Sequence, residues 1–239
     1  MSNTKFWKDD LPAGYYDQIL VSGLKLNKGI QFGWHHLTFS KLLEHIENFE
    51  NHLDFACGPG TFIGQYVKNS SVGVDISPKQ INYASKKYKK YGEFIYLDNF
   101  DYKNYPNKFN IVTVVGLLEF INEAETAELL ENLYSICKPG GKVIFTTPNY
   151  SFSFKILQFL ANIFFPVSYE GQTISKYNKK NLRMLSTISQ FKDFKVTKIL
   201  NFFVFLSFFN FSIARHLENL VAKITKNKLG NLFLIEFTK

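Results

Sequence analysis

The stretch His52-Leu53-Asp54-Phe55-Ala56-Cys57-Gly58-Pro59-Gly60-Thr61 constrains this chain more than any other. Its apolar start reads as a buried strand, its small residues as a tight turn, and its end as the opening of a helix. A turn of that kind lets the backbone approach a ligand at a helix N-terminus. Asp75 follows Gly58 by 17 positions, at the end of the next strand-like run. A carboxylate there can accept hydrogen bonds from both hydroxyls of a ribose, so turn and acid together imply a nucleoside ligand. A dinucleotide unit would space its glycines as G-x-G-x-x-G, whereas Gly58, Gly60 and Gly64 are one residue too far apart.

Strand-like and helical runs alternate around this string. Trp34, Leu37, Leu42, Ile46 and Phe49 recur at helical spacing and predict an amphipathic helix leading into a strand over 52–56. Further strands are expected over 71–76, 93–97, 109–115 and 142–147, with helices from Pro78 and over 124–137. Ser77 before Pro78 is a helix-start pair, and Lys138-Pro139-Gly140-Gly141 is a helix stop. Such alternation means a parallel sheet covered by helices. Beyond Pro148 the rhythm changes to an apolar helix over 152–165, a strand over 194–203, a helix over 213–225 and a last strand over 232–237. The final strands fit an antiparallel pair closing the sheet.

Four of these pieces, in this order, resemble the class I S-adenosylmethionine-dependent methyltransferases over roughly residues 34–150. Asp54 to Gly60 is similar to the family's first motif, Val74-Asp75-Ile76-Ser77 to its ribose motif, Leu97-Asp98-Asn99-Phe100 to its adenine motif, and Lys138-Pro139-Gly140-Gly141 to the turn before its fifth strand. The resemblance implies a Rossmann-like, doubly wound, mostly parallel seven-stranded α/β sheet with an antiparallel edge strand and a small helical cap. It divides one domain, 1–239, into an N-terminal helical cover (1–50), a cofactor-binding core (51–150) and an acceptor lid with closing strands (151–239). It implies S-adenosyl-L-methionine as cofactor. Ala56, Cys57 and Gly58 would line its methionine moiety, Asp75 would hold the ribose, and Asp98 with the backbone near Asn99 and Phe100 would read the adenine. Asp54, Gly60, Ile76 and Gly116 complete the expected cofactor-binding set.

The chain departs from the family at Ala56, where glycine is usual, at Asn110, where an acid often opens the fourth strand, and at Phe120, often a histidine. The last departure leaves no assigned general base. Tyr15, Tyr16, His35 and His36 are candidate polar residues near the cofactor, because N-terminal helices in this family fold over the methionine end; of these Tyr16, His35 and His36, with Glu119, which follows the fourth strand, are the catalytic candidates. Methyl transfer also proceeds by alignment alone when the acceptor is already nucleophilic. Cys57 reads as a small turn residue, since this chemistry needs no covalent enzyme intermediate. Neither H-E-x-x-H nor C-x-x-C occurs, and no metal site is expected.

Charge separates the two parts of the chain. Residues 1–150 hold 15 Lys and 16 Asp and Glu, whereas residues 151–239 hold 13 Lys and Arg against 4 Asp and Glu. Only two arginines occur, Arg183 and Arg215, which argues against specific nucleic-acid reading. The basic part also carries the phenylalanine-rich runs 152–165 and 202–211. These could line a pocket, lie in an anionic membrane interface, or form core. The expected acceptor is small or lipid-like and methylated at oxygen. A sugar in surface polysaccharide synthesis and a non-catalytic accessory role at a membrane are the alternatives. Two cysteines without a paired motif and an N-terminus without a signal-peptide pattern lead us to expect a cytoplasmic protein, in peripheral contact with the inner membrane face if the aromatic runs touch lipid.

Overall fold

The computed structural model describes residues 4–46, 50–164 and 171–239, with the backbone alone for Leu157 and residues 160–164. Two helices lead in, α1 (Tyr15–Leu26) and α2 (Ile30–Leu43). They approach closely because Gly23 has no side chain: a Cβ there would lie 2.0 Å from Phe32 Cγ. The sheet contains β1 (His52–Phe55), β2 (Ser71–Asp75), β3 (Gly92–Tyr96), β4 (Phe109–Val115), β5 (Cys137–Pro148), β6 (Asp193–Ile199) and β7 (Leu232–Thr238). Their order is β3-β2-β1-β4-β5-β7-β6. The first five in sequence pair in parallel, and β7 runs antiparallel to both β5 and β6. This is the expected Rossmann-like sheet with its antiparallel closing pair. Helices α3 (Pro78–Lys87), α4 (Glu123–Ile136), α5 (Phe152–Phe164), the short α6 (Met184–Thr187) and α7 (Phe211–Thr225) complete it.

Side chains alternate across each strand and feed two cores. Val143, Phe145, Phe233, Ile235 and Phe237 join Leu53, Val112 and Leu133 on one face. Ile144 and Leu234 join Leu20, Phe32, Leu42 and Phe62 on the other. Burial on both faces explains why these strands read as near-continuous apolar runs. Strand order reverses between β1 and β4, and a crevice opens there at the strands' C-terminal ends.

Several boundaries differ from expectation, each for a local reason. Helix α4 begins at Glu123, because Asn122 and Glu125 form a reciprocal capping box. Ser77 takes the N-cap position of α3, but its hydroxyl makes no capping bond and its backbone N–H donates instead to Asp75 Oδ1 at 2.8 Å. The expected stop at Lys138–Gly141 is a bulge inside β5: Cys137 pairs with Phe109 and Lys142 with Ile111, and Gly140 takes φ +76° between them. Strand β6 ends at Ile199, not at 203. Leu200 turns to φ +56°, and the buried Glu218 carboxylate accepts from Asn201 N and Val204 N, both at 2.6 Å, winding the chain into a 3-10 turn over Phe202–Phe208. Helix α2 ends at Leu43, and α1 is an element that the apolar spacing does not announce. Phe49 and Phe165 lie outside the described residues.

Candidate active site

The turn after β1 places three residues in the left-handed region, Ala56 at φ +62°, Gly58 at +52° and Gly60 at +71°. Alternation of left-handed residues turns the chain sharply from strand into the helix that opens at Thr61. The two glycines serve different ends. A Cβ on Gly58 would meet nothing within 4 Å, so this residue faces open space, whereas a Cβ on Gly60 would lie 2.6 Å from Phe94 Cε1 and 3.0 Å from Ala84 Cβ. Gly60 therefore permits packing onto β3 and α3, while Gly58 leaves a cradle.

Asp75 closes that cradle. Its Oδ2 accepts from Gly58 N at 2.8 Å and its Oδ1 from Ser77 N at 2.8 Å, so the carboxylate is fixed while each oxygen keeps a lone pair for a further donor. Burial pushes its pKa up to about 6 against the pull of those two N–H groups. Below the turn, Asp54 is buried and accepts from Thr113 Oγ1 at 2.7 Å; burial, opposed by that bond and reinforced by Asp75, raises its pKa to about 7. Thr113 is also bonded to His52 Nε2 at 2.9 Å, and burial drives the His52 pKa down to about 3, so the imidazole is neutral. Two buried carboxyls that influence each other, with no ion pair to either among the described residues, leave the cradle ready for a cationic ligand group. Thr61 adds an unused group: its Oγ1 is buried, lines the same space and has no hydrogen-bond partner among the described residues.

A cavity of about 590 Å³ runs from this cradle toward the far ends of β4 and β5. Asp54, Ala56, Cys57, Gly58, Asp75, Ile76 and Gly116 line it, as do Tyr16, His35 and Glu119. The remaining expected residues stand elsewhere. Gly60 is held by packing, as above. Asp98 and Asn99 are exposed on a 3-10 turn, with Leu97 rather than either of them in the cavity wall. Phe100 is core: its ring stacks on Tyr105 at 4.7 Å and meets Tyr102 edge-on. His36 pairs with the Tyr66 hydroxyl and stacks on Phe32, and Tyr15 donates to Gln31 Oε1 at 3.2 Å, so both act behind the wall. His35 meets Tyr16 edge-on at 5.1 Å, and burial lowers its pKa to about 4.

Glu119 is a buried acid of the far half. Its carboxyl is buried, Oε2 accepts from Thr147 Oγ1 at 3.0 Å, and burial, opposed by hydrogen bonds, raises its pKa to about 7. Its backbone oxygen accepts from Ile174 N at 2.8 Å and Ser175 N at 3.1 Å, tying the 171–181 loop to the site. Apolar rings surround it: Trp7, Trp34, Phe39, Phe120, Tyr150 and Phe154 line the same cavity. Phe120 packs on Trp7 at 4.6 Å between ring centroids, which gives the unexpected phenylalanine a role in seating the N-terminal segment. That segment crosses the cleft, with Lys8 Nζ donating to Tyr96 Oη at 3.1 Å and Gln80 bonded to both Pro12 O and Gly14 N. Sequence reading missed Trp7, Gln31, Thr38, Thr61 and Tyr150. Thr61, directly after Gly60, was the one with a local signal.

Comparison with known proteins shows what the chain is similar to. Residues 53–141 match a family described as a methyltransferase domain. No match to the chain is found among curated protein sequences. Among solved structures, a SAM-dependent methyltransferase from Archaeoglobus fulgidus is 19% identical, with a TM-score of 0.59 over 85% of this chain and 94% of that one. A magnesium protoporphyrin IX methyltransferase from Synechocystis, with SAH bound, is 15% identical, with a TM-score of 0.54 over 88% and 85%. A possible histamine N-methyltransferase from Thermotoga maritima is 16% identical, with a TM-score of 0.57 over 86% and 90%.

Proposed function

We propose, from the match of residues 53–141 to a methyltransferase-domain family and from a fold like that of S-adenosylmethionine-dependent methyltransferases, that the chain methylates a hydroxyl of a small, apolar or lipid-like acceptor, with Glu119 as the base. One observation carries the reading. The cavity joins a nucleoside cradle at Gly58 and Asp75 to a ring-lined chamber whose buried acid is Glu119.

The residues present suit the cofactor. Open space over Gly58, the spare lone pairs of Asp75 and the unpartnered Thr61 hydroxyl offer a backbone approach, a ribose acceptor and a further polar contact. Asp54 and Asp75 favour positive charge there, which S-adenosylmethionine carries on its sulfonium and amino groups. When bound, the cofactor supplies an electrophilic methyl group; the chain's own residues do the rest. Asp75 and the turn orient the nucleoside, and the N-terminal segment bearing Trp7 excludes water. Rings of Trp34, Tyr150 and Phe154 place the apolar acceptor, which gives most of what an in-line displacement requires. Glu119 takes the hydroxyl proton on Oε1 while Thr147 holds Oε2. A carboxyl that titrates near 7 is matched to this task at neutral pH.

The test is incubation with S-adenosylmethionine labelled in its methyl group and, separately, lipid and glycan extracts. Label should enter the organic-soluble fraction. Glu119→Gln should lower that transfer by about 100-fold or more without changing affinity for S-adenosylhomocysteine. Label confined to glycan, or full transfer by Glu119→Gln, refutes the proposal.

A further inference from the structure

We propose that the protein docks on anionic lipid bilayers through one surface, made by the end of α1, the Phe202–Phe208 turn and the outer face of α7, and that this docking presents the cavity to a bilayer-held acceptor. The second half rests on the lipid-like acceptor proposed above; the first half does not.

The surface is continuous in the fold. Phe211 N donates to Asn27 O at 2.8 Å, Gly29 N to Ser207 O at 2.5 Å and Ser212 Oγ to Asn27 Oδ1 at 3.2 Å, joining the end of α1 to the start of α7. Leu24 and Leu26 stand exposed on one side of this seam, and Phe209 and Ile213 on the other. From Ile213 the apolar positions continue through Leu217, Leu220 and Ile224, spaced so that they form one stripe along the helix. Phe209 is 70% exposed and Ile224 71%. The core uses a different face of α7, that of Phe211, Ala214 and Glu218. Nothing inside the described fold therefore accounts for the stripe.

Charge identifies the occupant. Lys25 and Lys28 flank the seam, and Arg215, Lys223 and Lys226 lie on the exposed polar side of α7. Between residues 201 and 235 the sequence contains a single acid, Glu218, and its carboxylate is buried against Asn201 and Val204. An exposed apolar stripe flanked by these cations, on a helix too short to span, is the composition of an interfacial helix on anionic lipid. Among the described residues, no helix is long and apolar enough to cross a membrane. The same region walls the cavity. Val204 of the turn and Phe154 and Gln158 of α5 line it from inside, while Phe152 and Phe159 of α5 and Phe202 of the turn face outward. A hydroxylated amphiphile could thus pass from bilayer to cavity along elements that touch both.

Flotation with phosphatidylcholine vesicles, with and without phosphatidylglycerol, at low and high salt tests the proposal. Binding should be at least about tenfold stronger with phosphatidylglycerol and should weaken with salt without vanishing. Phe209→Ser/Ile213→Ser/Ile224→Ser should lose about tenfold at every salt concentration, and Arg215→Gln/Lys223→Gln/Lys226→Gln should lose the preference for anionic vesicles. Both variants should keep the wild-type melting temperature and affinity for S-adenosylhomocysteine. No flotation of the wild type with anionic vesicles, or a folded serine variant that floats like the wild type, overturns the docking. So does a wild-type dimer in sedimentation that the serine variant abolishes, since a second copy then covers the stripe. Loss of S-adenosylhomocysteine binding by the wild type itself would refute the proposed function and leave the docking result standing.

Discussion

Replacing Ala56 by glycine should stabilise the protein, although it removes atoms from a half-buried site. Ala56 is held at φ +62° by the turn from β1 into the helix at Thr61. A non-glycine residue in that region costs about 1–2 kcal/mol. Against this relief, glycine loses roughly 0.5–1 kcal/mol more backbone entropy on folding. The Ala56 methyl packs only partly against the main core, so its loss costs some fraction of the ~0.8 kcal/mol for a buried methylene. The balance is a gain of about 0.5 kcal/mol, or a rise of ~1–2 °C in melting temperature for a chain of this length. Ala56→Val provides the contrast, because a β-branched side chain tolerates a left-handed φ least; it should lose about 2 kcal/mol or more. Urea denaturation with the slope checked for constancy measures both. A folded Ala56→Gly variant less stable than the wild type by 1 kcal/mol or more would show that the turn is not strained at this residue.

Two further outcomes follow from buried charge. Asp17 lies fully buried in α1 and accepts from Tyr83 Oη at 2.8 Å, Lys87 Nζ at 2.5 Å and Tyr88 Oη at 2.5 Å, tying the N-terminal helix to α3 and the residue that follows it. Asp17→Asn weakens charge-assisted bonds while Lys87 can retreat to solvent, so it should cost about 2 kcal/mol, read as a lower urea midpoint. Glu119 titrates higher in the folded chain than in the unfolded one. The folded state therefore binds more protons between the two values, and this group's contribution to stability falls as pH rises from about 5 toward 8. His35 and His52, held neutral with lowered pKa values, act in the opposite sense on acidification, so the wild-type curve alone mixes both. Melting temperatures of Glu119→Gln and wild type compared across that range isolate the carboxyl: the variant should gain on the wild type as pH rises, and a constant difference would contradict the assignment.

The turn after β1 and its acid were legible because their information is local. One strand, one turn and one acid 17 residues on specify the cradle, and the structure joins Gly58 N directly to Asp75 Oδ2. The ring-lined half was not legible, because Trp7, Trp34 and the Tyr150–Phe154 pair come from three separate segments that only the tertiary fold assembles. Glu119 could be placed after β4 but not weighted, since its burial depends on Thr147 and on the loop that bonds to its backbone oxygen. The Phe100 ring is core, stacked on Tyr105, which leaves only its backbone available for the expected adenine contact. Residues 200–203 read as the end of a strand because apolar runs carry no period of their own; a buried carboxylate, Glu218, 17 positions from Asn201 and 14 from Val204, decided their conformation.

The account stands on the Gly58–Asp75 cradle holding a nucleoside, and calorimetric titration with S-adenosylhomocysteine tests it most directly. The wild type should bind, and Asp75→Ala, with its melting curve intact, should bind at least about tenfold more weakly, since each charge-assisted ribose bond is worth ~1.5–3 kcal/mol at most. Absence of binding by the wild type, or equal affinity in a folded Asp75→Ala variant, would contradict it.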